Sequence, residues 1–250
     1  VSEPPGGAPA ARGALLGLDG HVYVVTGATG TLGGAVAGTL LAHGARVAVP
    51  YRSAERWREV AGRLGGGERL WAAAGDITDP ASTLRFVEAA RQQFGRIDGL
   101  AAIAGAYAES GPFEQAPVTE WLAMMGANLT PTFTACRAVL PLLLEHGGSV
   151  VTVASRRALE IGAGAAAYVV SKAAVVALTR ALAAENRDRG VRFNCVAPGT
   201  IDTPDNRAAM PAADPAGWTS PAALAEVIAF LLSPASAPVT GAVLPADLPA

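Results

Sequence analysis

Read from the amino terminus, the chain alternates short apolar runs with longer segments of helical composition. The runs are HVYVVT (21–26), ARVAVP (45–50), RLWAAAGD (69–76), DGLAAIAG (98–105), SVVTVAS (149–155) and VRFNCVAPG (191–199). Each is continuously apolar, the pattern of a strand buried on both faces of a parallel sheet. The gaps between them are long enough for helices, and several have recognisable ends. Asp79-Pro80 predicts an N-cap followed by proline at the first helical position, with Gly95 closing the helix. Ser220-Pro221 repeats the device before AALAEVIAFLLS, which stops at Pro234. This β-α-β-α order shows no linker, composition break or internal repeat, so it predicts one doubly wound α/β domain over 18–250. The expected architecture is a Rossmann-type parallel sheet of about seven strands with helices on both faces. Residues 1–17, rich in Gly, Pro and Ala and without the layout of a secretory signal, predict a flexible tail. The longest apolar stretch, Ala165 to Ala184, contains Lys172 and Arg180, which favours a buried helix over a membrane span.

Composition narrows the classes of function. The chain has 250 residues, 51% hydrophobic and only 16% charged, against about 25% charged in an average domain. It can therefore bury a large core. Nineteen basic against 21 acidic residues leave a net charge of -2, with no basic footprint for nucleic acid. Cys136 and Cys195 are far apart and lack C-x-x-C spacing, and His21, His43 and His146 lack metal-ligand spacing. Neither a disulfide framework nor a metal site is expected, and a reducing, cytoplasmic setting fits. One asymmetry stands out among the basic residues: 18 are arginine and one, Lys172, is lysine.

The first run leads into Thr26-Gly27-Ala28-Thr29-Gly30-Thr31-Leu32-Gly33 and then a helical segment. A glycine turn between strand and helix lets backbone N–H groups approach a pyrophosphate, where the helix dipole favours negative charge. Gly27, Thr29, Gly30, Leu32 and Gly33 are accordingly candidate cofactor-binding residues. For NAD, an acid is expected at the end of the second strand to accept from the ribose 2′-OH. That strand here ends Pro50-Tyr51-Arg52, with no acid. Arg52 can pair with a 2′-phosphate, so NADP(H) is favoured over NAD(H). The plainer alternative is a solvated arginine at the start of the next helix.

Tyr168 and Lys172 stand four apart on a segment of helical composition, so their side chains share a face. An ammonium beside a phenol favours the phenolate, which would make Tyr168 a proton donor and acceptor near neutral pH.

With these residues, the chain resembles the short-chain dehydrogenase/reductase family over about residues 18–247. Besides Tyr168-x-x-x-Lys172, the family pattern matches Ser155 thirteen residues earlier, Asn128 in GANLTPTF and Asp76 in GDITD. It also matches Pro198-Gly199-Thr200-Ile201-Asp202-Thr203, the stretch that contacts the nicotinamide end. The resemblance implies a catalytic set of Asn128, Ser155, Tyr168 and Lys172. Ser155 would hydrogen-bond the substrate oxygen while Tyr168 exchanges a proton with it. Lys172 would hold the nicotinamide ribose and tune Tyr168, and Asn128 would anchor a water linking Lys172 to solvent. Tyr51, Arg52, Asp76, Ile77, Ala104, Gly105, Tyr168, Lys172, Pro198, Gly199, Ile201 and Thr203 join the glycine turn in the implied cofactor site. The substrate would be a small carbonyl or alcohol, and the assembly a homotetramer or homodimer through the helices carrying Asn128 and Tyr168.

The chain departs from the pattern in three places. The middle glycine of the turn is Gly30, with Thr31 in the usual position. Asn-Asn-Ala-Gly is replaced by Ala102-Ile103-Ala104-Gly105, and Val-Asp-Gly-Gly by Pro245-Ala246-Asp247-Leu248. The loss of two amides requires the polar groups they would serve to find other partners. The segment between Pro198-Gly199 and Ser220-Pro221 is short, which suggests an open pocket, and resembles dihydropteridine reductases. Those enzymes generally lack the serine supplied by Ser155. A pterin reductase and a non-catalytic NADP(H)-binding redox sensor therefore stand as alternatives. Met210, Trp218, Tyr107 and Phe113 are open between substrate contact and packing. Arg156 and Arg157 are open between an anionic or polar substrate and solvent.

Overall fold

The structure, a computed structural model, describes residues 16–247. Seven strands form one parallel sheet: β1 (Val22–Thr26), β2 (Arg46–Tyr51), β3 (Leu70–Ala74), β4 (Gly99–Ala102), β5 (Gly148–Val153), β6 (Val191–Pro198) and β7 (Val243–Ala246). Their spatial order is β3-β2-β1-β4-β5-β6-β7. The chain leaves β1 toward β2 on one side and reaches β4 on the other, so a crevice opens at the carboxyl ends of β1 and β4.

Helices α1 (Thr31–Ala42), α2 (Ala54–Leu64) and α3 (Pro80–Phe94) follow the first three strands. The segment after β4 contains α4 (Val118–Met124), a π-helical turn (Met125–Leu129) and α5 (Thr130–His146). Then come α6 (Ala166–Glu185), α7 (Pro204–Ala209) and α8 (Pro221–Leu232). Local chemistry sets several of these boundaries. Asp79 accepts from the backbone N–H groups of Ala81 and Ser82 at the start of α3, and Gly95 ends it at φ 83°. Ser220 caps α8 in the same way.

The uninterrupted apolar runs are explained by burial on both faces. In β1, Tyr23 and Val25 join α1 and α8 residues such as Val36, Leu40 and Ile228 in one core. Val22 and Val24 face the opposite core, with Phe86 of α3 and Val139 and Leu143 of α5. Helix α6 is the one described helix long and apolar enough to cross a membrane, yet it packs on β6 through Val175, Val176, Cys195 and Ala197. Of the expected tail, residues 1–15 lie outside the described chain, whereas Leu16 packs against the first core.

Several strands end earlier than their apolar runs suggest. The expected 69–76, 98–105 and 149–155 stop at Ala74, Ala102 and Val153. Strand pairing ends where the loops diverge, and the surplus residues, Asp76, Ile103 to Gly105 and Ser155, lie along the carboxyl edge.

Candidate active site

The expected site residues gather at this edge, each delivered by a different strand or by a helix packed beside it. Gly27, immediately after β1, has φ 72°, and a Cβ there would lie 2.9 Å from the Ala104 backbone. A Cβ on Gly33 would lie 2.3 Å from the Gly27 carbonyl oxygen. Both positions therefore require glycine to bring the turn, helix α1 and the end of β4 so close together. Gly30 is different: it caps α1 at φ -93°, a conformation open to any residue. The shifted middle glycine thus leaves the two tight contacts of the turn intact.

In the segment without the two asparagines, backbone N–H groups are satisfied by Thr26, which was not among the expected site residues. The Thr26 hydroxyl accepts from the backbone N–H groups of Ile103 at 3.1 Å and Ala104 at 3.3 Å. Its place directly before Gly27, at the end of a buried strand, was the available signal.

Asn128 is fully buried in the π-helical turn. Its Oδ1 accepts from the Ala106 N–H at 2.9 Å, and its Nδ2 donates to the Ser171 hydroxyl at 3.0 Å. It therefore ties the loop after β4 to α6, close to Lys172. A Cβ on Gly105 would fall 2.6 Å from Asn128 Oδ1 and 2.9 Å from Lys172 Nζ. Gly105 is the space into which both catalytic candidates pack.

Lys172 is buried, and its Nζ donates to the Val153 carbonyl at 3.0 Å. Burial pushes its pKa down from 10.5 to about 8, with the Cys195 thiol opposing the shift. Tyr168 stands one turn earlier on α6. Burial raises its pKa, the neighbouring Ser155 hydroxyl pulls it down, Tyr107 adds to the rise and Arg157 counters it. This corrects the expectation that Lys172 lowers the phenol: the ammonium is turned to the Val153 carbonyl, and desolvation dominates at Tyr168.

Ser155 follows β5 and is buried, its Oγ accepting from the Arg157 N–H at 3.2 Å. Its own O–H remains able to donate. Arg156 and Arg157 have protein partners. Arg156 pairs with Glu160 and Asp247, while Arg157 donates to the Tyr107 hydroxyl at 2.7 Å and approaches Glu109 at 4.0 Å. Neither is a free anion receptor. Tyr107 packs edge-on against Tyr168, ring centroids 4.8 Å apart, and so is part of the site wall.

At the other end, Arg52 is exposed beyond β2, and Tyr51 stacks on Trp57 at 5.9 Å. The Asp76 carboxylate accepts from the Thr78 N–H and hydroxyl, which hold its pKa low, with the Arg52 charge adding to the effect. The Ile77 carbonyl accepts from the Thr134 hydroxyl of α5. Beyond β6, Gly199 donates to Ala246, Ile201 forms an isolated bridge with Thr219, and Thr203 caps α7. That short helix, with Met210 at its end, lies in the short segment whose length suggested an open pocket. Phe113 lies off the catalytic pair, in a cavity of about 210 Å³ with Trp121 and Ala166.

A family model described as Enoyl-(Acyl carrier protein) reductase matches residues 27–248, nearly the whole described chain. The chain belongs to the short-chain dehydrogenase/reductase family. As a short-chain dehydrogenase/reductase it is an oxidoreductase. It is 35% identical over 241 residues to D-threitol dehydrogenase of Mycolicibacterium smegmatis, covering 92% of each chain. It is 36% identical over 189 residues to 2-(R)-hydroxypropyl-CoM dehydrogenase of Xanthobacter autotrophicus, covering 74% of this chain and 76% of that one. Among solved structures, 3-ketoacyl-(acyl-carrier-protein) reductase from Brucella melitensis complexed with NADH superposes with a TM-score of 0.83. That match has 30% identity and covers 92% of this short-chain dehydrogenase/reductase and 98% of the other chain.

Proposed function

We propose that this protein is an NADP(H)-dependent oxidoreductase that interconverts a small secondary alcohol and its carbonyl, with Tyr168 as general acid and base. The observation that carries the reading is the convergence of Ser155, Tyr168, Lys172 and Asn128 at the carboxyl edge of the sheet, beside a crevice built on Gly27 and Gly33. The turn fits a dinucleotide: Gly27 and Gly33 let it pack tightly between the end of β4 and the start of α1, which leaves the N-terminus of that helix facing the crevice for a pyrophosphate. Gly27, Thr29, Gly30, Leu32 and Gly33 would hold the phosphates, with Asp76 and Ile77 at the adenine. Ala104, Gly105, Lys172, Pro198, Gly199, Ile201 and Thr203 would hold the nicotinamide end. When bound, the cofactor supplies or accepts the hydride. Arg52, exposed at the end of β2 with no acid beside it on that strand, supports selection of a 2′-phosphate.

The residues divide the remaining work. Ser155 donates its O–H to the substrate oxygen while its Oγ accepts from the Arg157 N–H. Tyr168, held protonated by burial, delivers a proton to that oxygen in the reductive direction and removes one in the oxidative direction. Lys172, whose pKa burial pushes down to about 8 and whose ammonium donates to the Val153 carbonyl, would hold the nicotinamide ribose beside Tyr168. Asn128 holds the loop after β4 against α6, which keeps Gly105 and Lys172 in contact.

The exposed apolar side chains Trp121 and Leu122 of α4, Phe133 of α5 and Val170 of α6 support a homodimer or homotetramer assembled through these helices. The two unpaired, buried thiols fit a cytoplasmic enzyme.

The test is oxidation of NADPH and NADH with a panel of aliphatic ketones, cyclic ketones, quinones and quinonoid pterins. Turnover of a ketone with NADPH supports the reading. Turnover confined to pterins would replace it with a pterin reductase, and tight cofactor binding without any turnover would replace it with a redox sensor.

A further inference from the structure

The carboxyl end of β7 is more closely tied to the catalytic edge than the last strand of a sheet needs to be. The Ala246 carbonyl accepts from the Gly199 N–H at 3.3 Å and the Thr219 hydroxyl at 3.1 Å. Asp247 follows, against Gly199, where an added Cβ would lie 3.1 Å from its own Cβ. Its carboxylate pairs with the Arg156 guanidinium, which also meets Glu160 at 2.9 Å. Arg156 opens the one-turn helix Arg156–Ala158, and the next two residues of that turn hook onto Ser155. The Arg157 N–H donates to Ser155 Oγ, and the Ala158 N–H donates to the Ser155 carbonyl at 2.9 Å.

We infer that Asp247 is a positioning residue for the Ser155 hydroxyl. Acting through Arg156, it fixes the turn that orients Ser155 and couples it to the Gly199 segment beside it. The inference rests on the reading of Ser155 as the donor to the substrate oxygen. Small rotations of such a donor are costly, because catalysis depends on its aim at the reacting atom. Stability depends little on the pair, since Arg156 is exposed and screened by solvent. Asp247→Asn should therefore fold.

The experiment measures kcat, KM and cofactor affinity for Asp247→Asn and Asp247→Glu, each also in a Ser155→Ala background. Asp247→Asn should lower kcat by about tenfold with little change in cofactor affinity, and Asp247→Glu should recover most of the loss. In the Ser155→Ala background Asp247→Asn should have no further effect, because the group it positions is gone. A normal kcat in Asp247→Asn beside a crippled Ser155→Ala overturns the inference alone. So does an equal further loss in the double variant, which would mark a general structural role. Full turnover by Ser155→Ala overturns the underlying functional reading. Arg156→Gln attacks the same contact from the other side and decides the matter if Asp247→Asn does not fold: it must reproduce the kcat loss and lose it again on Ser155→Ala.

Discussion

Replacing Lys172 with methionine separates what the lysine does for chemistry from what it costs the fold. The side chain is buried to 5% exposure, and the ammonium donates to the Val153 carbonyl with no carboxylate partner among the described residues. Burial moves its pKa from 10.5 to about 8. At about 1.4 kcal/mol per pKa unit, the buried charge costs on the order of 3 kcal/mol at pH 7. Methionine keeps the bulk and removes the charge but leaves the Val153 carbonyl without its donor, an offset of about 1 kcal/mol. Lys172→Met should therefore be more stable than the parent by about 2 kcal/mol at pH 7 while losing nearly all turnover. The sign of the pH dependence follows from the lowered pKa. Below pH 8 both folded and unfolded chains hold the proton and the penalty is complete. Between about 8 and 10.5 the unfolded state binds the proton that the folded state has released, so parental stability rises with pH and the variant's advantage disappears. Urea unfolding of both proteins from pH 7 to pH 10 reads this directly. A variant less stable than its parent at pH 7, or a stability difference that does not change with pH, would refute the reasoning. Lys172→Arg should also lose turnover, because the wider guanidinium has no room where Nζ packs against Gly105.

Gly105→Ala forces a Cβ into Asn128 and Lys172, so it should cost about 1–3 kcal/mol in a thermal or urea melt and reduce kcat more than cofactor affinity. Arg52→Ala should weaken NADPH by about 10- to 100-fold in a fluorescence titration and leave NADH nearly unchanged; equal losses for both would remove Arg52 from cofactor selection. Because Tyr168 is raised above 10, the rate of alcohol oxidation, which needs the phenolate, should climb with pH through the neutral range. Carbonyl reduction, which needs the phenol, should stay level over the same range. A flat oxidation profile would show that a group other than Tyr168 accepts the proton.

The fold was legible because burial on both faces gives each strand an unbroken apolar run, and because Asp79, Gly95 and Ser220 mark their helix ends by chemistry that depends only on neighbours. The Tyr168 and Lys172 spacing was legible for the same reason, since four residues on a helix share a face whatever surrounds it. What lay beyond reading was set by contacts distant in sequence. Thr26 meets the N–H groups of Ile103 and Ala104 only because β1 and β4 are neighbours. Arg156 has one partner within reach of sequence reading, Glu160 four residues on, but its second partner Asp247 and the Arg157 partners Tyr107 and Glu109 are distant in the chain. The direction of the Tyr168 shift was misjudged because spacing shows that two groups share a face, whereas their pKa values depend on burial and on where the ammonium points. The lone lysine among eighteen arginines remains the composition's most informative feature, now with a physical content: a buried, compact ammonium packed against Gly105.

The proton-transfer role of Tyr168 is tested by replacing that one hydroxyl and measuring binding and turnover on the same preparation. Tyr168→Phe should bind NADPH with near-parental affinity, since the ring and its packing against Tyr107 are kept, while kcat for carbonyl reduction falls by at least about 100-fold. Undiminished turnover with cofactor binding intact would contradict the assignment.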